Sequence, residues 1–160
     1  MPITENVKLR DLRTLRYLTT STQASLSWWV NDVVVNDAME LINAKLIEGK
    51  YKVHCFNSFL LSRYKDVGYQ DVKKWSVAVC KRHKVKTIFE FERIIVPVNR
   101  GNLHWAFIVA DIRHKTIVYY DSMTGFQVSE AKEWMQLVHR YTVVDTPCIA
   151  HCVLLRIFHA

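Results

Sequence analysis

His104-Trp105-Ala106-Phe107-Ile108-Val109-Ala110-Asp111 and, after a short break, Thr116-Ile117-Val118-Tyr119-Tyr120-Asp121 are dense in β-branched and aromatic residues, the composition of half-buried strands. With the reversal centred on Asp111-Ile112-Arg113-His114, the two runs form an antiparallel hairpin in which His104 is expected directly opposite Asp121. Opposed residues point to the same face at contact distance. An imidazole oriented by a carboxylate supplies two members of a nucleophilic catalytic site and leaves the nucleophile to be found.

Upstream of the hairpin, Asn99-Arg100-Gly101-Asn102 is turn chemistry. Ile88 to Val98 supplies one or two strands ending at Val96-Pro97-Val98, where proline marks a strand edge or end. Downstream, Ser122-Met123-Thr124-Gly125 reads as a loop, and Ser129 caps a helix to Tyr141 that buries Ala131, Trp134 and Val138. Thr142-Val143-Val144, a turn at Pro147 and an apolar segment from Cys152 to Phe158 close the chain.

The N-terminal half is helical in pattern. Asn31-Asp32 offers an N-cap, and Val34, Val35, Ala38, Met39, Ile42 and Leu46 fall on one face, the spacing of a buried amphipathic helix. Phe56 to Tyr64 and Gln70 to Val77 read as two shorter helices, the second with Tyr69, Val72 and Trp75 on its apolar side. Helices flanking a central antiparallel hairpin system make an α+β domain. Arg10, Arg13 and Arg16 recur in a polar opening, so residues 1–25 are expected to form a basic N-terminal arm and 26–160 the folded domain.

Composition narrows the function classes. Half of the 160 residues are hydrophobic, which suits one sizeable core and excludes a disordered chain. The 22 Lys+Arg against 15 Asp+Glu leave a net charge of +7, as in a basic domain or one with an acidic macromolecular partner. Lys73, Lys74, Lys81, Arg82, His83, Lys84 and Lys86 form a basic cluster. Without an interleaved aromatic stacking platform it reads as a solvated surface, and a nucleic-acid partner is not expected. No apolar run reaches the roughly 20 residues of a membrane helix, and the N-terminus is not a signal peptide. The protein is therefore expected to be intracellular, nuclear or cytoplasmic, and not bound to a membrane; a monomer is expected as well.

Its four cysteines, Cys55, Cys80, Cys148 and Cys152, are then reduced. Drawn together with His83 and His151 they match neither paired C-x-x-C nor zinc-finger spacing, and neither a metal nor any other cofactor is expected. As nucleophile, serine is disfavoured: there is no G-x-S-x-G elbow, and Ser122, next to Asp121, would point to the opposite face. Cys152 precedes a short apolar run that reads as a helix, whose N-terminal dipole would lower its thiol pKa. Cys148 lies in a turn and Cys55 reads as a small buried hydrophobe, so Cys152 is the expected nucleophile.

Leu103-His104-Trp105 and Tyr119-Tyr120-Asp121-Ser122-Met123-Thr124-Gly125 resemble the His-Trp and Tyr-Tyr-Asp-Ser-Met-Gly-Gly motifs of the sentrin (SUMO)-specific proteases, ubiquitin-like-protease cysteine peptidases of papain-like α+β fold. Trp29-Val30-Asn31-Asp32 is similar to the family's Trp-Leu-Asn-Asp, and Phe56-Asn57-Ser58-Phe59 to its Phe-Asn-Thr-Phe. Gly68 to Trp75 and Val96-Pro97-Val98 follow in the family's order. The resemblance implies a thiol peptidase that cleaves after the Gly-Gly end of a SUMO-like modifier, the partner being that modifier and its conjugates. His104 would take the thiol proton and Asp121 hold the ring. Trp29 and Trp105 would cover the diglycine tail, and Asp32 would sit on the modifier-binding surface.

Around the nucleophile the pattern changes: the family's Gln and Asp-Cys-Gly are replaced by Thr146 and by His151-Cys152-Val153. With the chain stopping at Ala160, the C-terminal part of the fold is expected to be incomplete. An inactive modifier-binding form of such a protease is the alternative.

Overall fold

The computed structural model describes residues 30–122, 129–140 and 156–159. The basic arm, Trp29, Cys148 and Cys152 lie outside the described residues. The elements are α1 (Asp32–Glu48), β1 (Val53–Cys55), α2 (Leu60–Val67), α3 (Tyr69–His83), a 3-10 turn (Ile88–Glu90), β2 (Arg93–Arg100), β3 (His104–Asp111), β4 (Thr116–Tyr120), α4 (Ser129–Arg140) and β5 (Arg156–His159). The strands form one sheet in the order β1-β2-β3-β4-β5. The inner pairs β2–β3 and β3–β4 are antiparallel, and β1 and β5 add to the edges in parallel. The expected α+β architecture with a central antiparallel hairpin system is therefore present.

Strand alternation divides the sheet into two faces. On one, Ile94, Val96 and Val98 of β2, Ala106, Ile108 and Ala110 of β3, and Ile117 and Tyr119 of β4 are buried with Leu60, Leu61, Val72 and Trp134 of the helices. This is the core. Asn31 caps α1 by accepting the Val34 N–H, as its sequence position predicts. Between α2 and α3 stands Gly68 at φ 89° and ψ −176°, a conformation open essentially to glycine alone, and it turns one helix directly into the next.

Five local expectations change. The stripe on α1 is not a fully buried one: Ile42 is 43% exposed, whereas Asn43 is buried. The reason is a polar docking. The Asn43 carboxamide donates to the Cys55 carbonyl and accepts the Cys55 N–H, both at 2.8 Å, so it completes the backbone pairing of β1 from the helix side. The helix expected at Phe56 starts only at Leu60, because Cys55 and its neighbours are drawn into β1 and the Phe56 N–H into a bond with the Ile95 carbonyl. The helix expected to end at Val77 continues to His83.

The hairpin turn is shifted as well. Asp111 pairs with Thr116 and Phe107 with Tyr120, so the turn is Ile112–Lys115 rather than 111–114. Asp111 stays in the ladder because its carboxylate accepts the His114 N–H at 2.9 Å and closes the turn from its edge. Finally, residues 156–159 of the segment read as a helix are a strand, where Ile157 and Phe158 pair with Ile117 and Val118 on the otherwise open edge of β4. The helix-dipole argument for Cys152 therefore has no support from these residues.

Candidate active site

Followed toward one end of the sheet, the core stripe of each central strand changes from apolar to polar. Ile94-Val96-Val98 continues to Arg100, Ala110-Ile108-Ala106 to His104, and Ile117-Tyr119 to Asp121. Arg100 and His104 are cross-strand partners. Continuing the β3–β4 ladder sets Asp121 opposite Ala106, two residues from the position expected; a shift by two preserves the face. His104 thus meets Asp121 diagonally, Nε2 to Oδ1 at 2.5 Å, within the reach of same-face neighbours. The other carboxylate oxygen accepts from Arg100 Nη1 at 3.1 Å.

These side chains sit at the margin of the core, with 16%, 13% and 7% of the Arg100, His104 and Asp121 side-chain surfaces exposed. At that depth an ionised carboxylate needs charged or donating partners, and Arg100 and His104 provide them on separate oxygens. A neutral ring bonded to the carboxylate through Nε2 carries its proton there, which makes Nδ1 the basic nitrogen.

A second group gathers at the same strand ends, partly from the alternate strand positions Asn99 and Trp105. Trp105 is the cross-strand partner of Asn99, and its indole N–H donates to the Val30 carbonyl at 2.6 Å, binding the entry of α1 to the sheet. Asp32 accepts from Ser58 Oγ at 2.8 Å and from Asn99 Nδ2 at 3.4 Å. Asn36 takes the Ser58 N–H at 2.8 Å. Asp32, Ser58 and Asn99 line a cleft of about 210 Å³ with Phe59, Asn102 and Glu133. Of the expected site residues, then, His104 and Asp121 are in contact, and Asp32 and Trp105 converge on Asn99 at the same strand ends.

Arg100, Asn99 and Ser58 were not among the expected site residues. Arg100 was legible in principle, since the two-residue period of Ile94, Val96 and Val98 runs on to it. Asn99 and Ser58 act through contacts with Asp32 that span 67 and 26 residues, and no local pattern reports those.

The cysteines divide by environment. Cys55 and Cys80 are buried. Burial pushes the Cys55 thiol up to about 11. The Cys80 thiol is also raised, by burial and then by the charge of Glu90. A thiol so held is a poor thiolate source.

A buried apolar sheet face, packed by helices and ending in a carboxylate-held imidazole, is the arrangement of the papain-like α+β cysteine peptidases. Residues 28–142 match the Ulp1 protease family, C-terminal catalytic domain, and the chain belongs to that family. Among curated relatives, Sentrin-specific protease 2 of Homo sapiens is 39% identical over 98 residues, covering 59% of this chain and 15% of that protein. Ubiquitin-like-specific protease 1 of Saccharomyces cerevisiae is 32% identical over 97 residues, covering 61% and 14%. The solved SUMO protease Ulp1 with its catalytic cysteine oxidised to a sulfinic acid aligns with a TM-score of 0.67 at 26% identity, over 96% of this chain and 63% of that one. The Ulp1 protease domain in complex with SMT3, the yeast ortholog of SUMO, aligns with a TM-score of 0.61 at 27% identity, over 82% and 56%. The chain thus spans a small part of the length of the curated relatives and less than two thirds of these solved domains.

Proposed function

We propose that this chain carries the peptidase chemistry of its family: a thiol attacks the carbonyl of the last glycine in the Gly-Gly end of a SUMO-like modifier, in precursor processing or deconjugation. The observation that supports it most is the Arg100–Asp121–His104 relay at the end of the core face. Asp121 keeps the His104 proton on Nε2, so Nδ1 takes the proton of the thiol. The thiolate adds to the carbonyl carbon, the C–N bond breaks, and the amine leaves with the proton returned by the imidazolium. Water, deprotonated by the same ring, then hydrolyses the thioester to a carboxylate and the free thiol.

Cys152 is our choice of nucleophile. Cys55 and Cys80 are buried with raised thiols, which leaves Cys148 as its rival. Trp29 and Trp105 would flank the diglycine tail, flat walls that admit only glycine-sized residues and exclude water. Asp32 would face the modifier, oriented by Ser58 and Asn99. The working unit would be residues 26–160, preceded by a basic arm over 1–25, monomeric and in the reducing cytoplasm or nucleus. No helix among the described residues is long and apolar enough to cross a membrane.

The test is covalent capture. SUMO with a C-terminal electrophile should attach to the protein, and Cys152→Ala should abolish attachment while His104→Ala slows it by about 10² to 10⁴. Attachment that survives Cys152→Ala and disappears in Cys148→Ala would move the nucleophile. SUMO binding without attachment to any cysteine would replace the peptidase by a modifier-binding protein.

A further inference from the structure

The basic cluster read from the sequence as plain solvated surface has a cleft in it. Lys73, Ser76, Val77, Cys80 and Lys81 recur on α3 at the spacing of one helix face, and they form one wall. The opposite wall is the segment that returns toward the sheet, Val85 to Phe89, with Lys86 at its rim. The cleft encloses about 360 Å³, within the range of specific ligand sites, and its lining is mainly apolar. It shares no residue with the Arg100–Asp121–His104 relay or with the cleft at Asp32.

We propose that this cleft is a docking groove for an extended acidic peptide of the pattern acid–x–apolar–x–acid. Charge selects the class of occupant: the rim carries Lys73, Lys81 and Lys86, and the chain has a net charge of +7. The carboxylate of Glu90 accepts the Lys86 and Thr87 N–H groups at 2.8 and 3.3 Å and holds the second wall in shape. Asp71, two residues before Lys73, is bound by Arg63 and Lys74.

Length selects the pattern. Lys73 and Lys81 are eight residues apart on a helix, or about 12 Å along its axis. In an extended peptide, same-face residues four apart span about 13 Å, so carboxylates at the first and fifth positions reach the two lysines. The third position then faces the floor formed by Val77, Cys80 and Ile88. Ser76 and Thr87 offer polar groups within the lining. The proposal does not depend on the peptidase reading, because it concerns binding at a separate place.

The experiment is fluorescence anisotropy with the labelled peptide Gly-Asp-Ser-Phe-Ser-Glu-Gly and the whole protein at low ionic strength. Saturable binding is expected. It should weaken at least about tenfold in Lys73→Glu/Lys81→Glu, two rim reversals that leave the core untouched, and also when the peptide's Phe is replaced by Ser. Val77→Asp, on a residue that is partly exposed, should abolish the preference for Phe over Ser. Any of the following would overturn the proposal: no saturable binding, binding indifferent to these variants, equal binding of a peptide with Asn and Gln in place of its Asp and Glu, or displacement by a single-stranded RNA oligonucleotide as effective as by unlabelled peptide. The last would make the groove an electrostatic nucleic-acid surface.

Discussion

Two aspartates on this sheet are each held between an arginine and a histidine, at opposite ends and on opposite faces. At one end, Asp121 takes Arg100 on one oxygen and His104 on the other. At the other, Asp111 takes Arg93 Nε at 3.0 Å on one oxygen and, on the other, both the N–H and the ring of His114 at 2.9 Å. The chemistry is alike and the burial is not. Arg93 and His114 have 58% and 67% of their side-chain surfaces in solvent, against 16% and 13% for Arg100 and His104.

The difference follows from the strand period. Arg100, His104 and Asp121 continue the buried stripe, whereas Arg93 and Asp111 lie on the alternate positions of the same strands. Burial alone would raise the Asp111 carboxyl. The His114 backbone N–H, Arg93 and the His114 ring outweigh it and hold the group below the usual carboxylate value. One cluster closes a turn. The other ends the buried stripe, where in the proposed reaction it would set a ring nitrogen for chemistry, so the two clusters differ in depth and position rather than in their own geometry.

The largest expected break between the clusters is in activity. Asp121→Asn should lower the rate of attachment to a SUMO electrophile by about 10⁴, since the ring loses its tautomer control, while Asp111→Asn leaves that rate within about twofold. Stability should separate them next. Arg100→Met strands a buried carboxylate and should cost about 3 kcal/mol in urea denaturation, against less than about 1 kcal/mol for the exposed Arg93→Met.

Acid titration sharpens the comparison, because a third buried group dominates it. Burial, then the charges of His83 and Arg82, push His54 down to about 3. Its ring meets His83 at 3.3 Å and packs on Phe56 and Phe91. The unfolded chain protonates this group near pH 6.5 and the folded chain only near 3, so stability should fall as pH drops through that window, by about 1.4 kcal/mol per pH unit. His54→Phe should flatten this slope. Asp111, whose folded pKa is lowered, contributes stability above about pH 3.9 that is lost as pH falls through its lower folded value, so Asp111→Asn should differ from the parent less at pH 3 than at pH 7. The smallest effect belongs to His114→Ala, within about 0.5 kcal/mol at neutral pH.

The legible parts were those written in local periods. Asn31 caps α1 as its position predicts. The runs 104–111 and 116–120 are strands, and Ser129–Arg140 is a helix that buries Trp134 and Val138. His104 and Asp121 were paired on a register two residues off and still meet, because a shift of two keeps a side chain on its face. The three-residue strand β1 was not legible: Val53–Cys55 is too short for a period to show, and it is held by Asn43 and by Ile94 and Ile95 far along the chain.

By itself, then, the sequence determined the helix and strand types apart from β1 and β5, the family motifs and the two ends of a His–Asp contact, because capping, alternation and turn chemistry act over a few residues. The tertiary structure alone decided that Asn99 and Ser58 hold Asp32, that the Cys55 and Cys80 thiols are raised, and that the basic cluster surrounds an apolar groove. Those properties depend on desolvation and on contacts between strands and helices distant in the chain. Both arise only when the sheet and its helices are packed together.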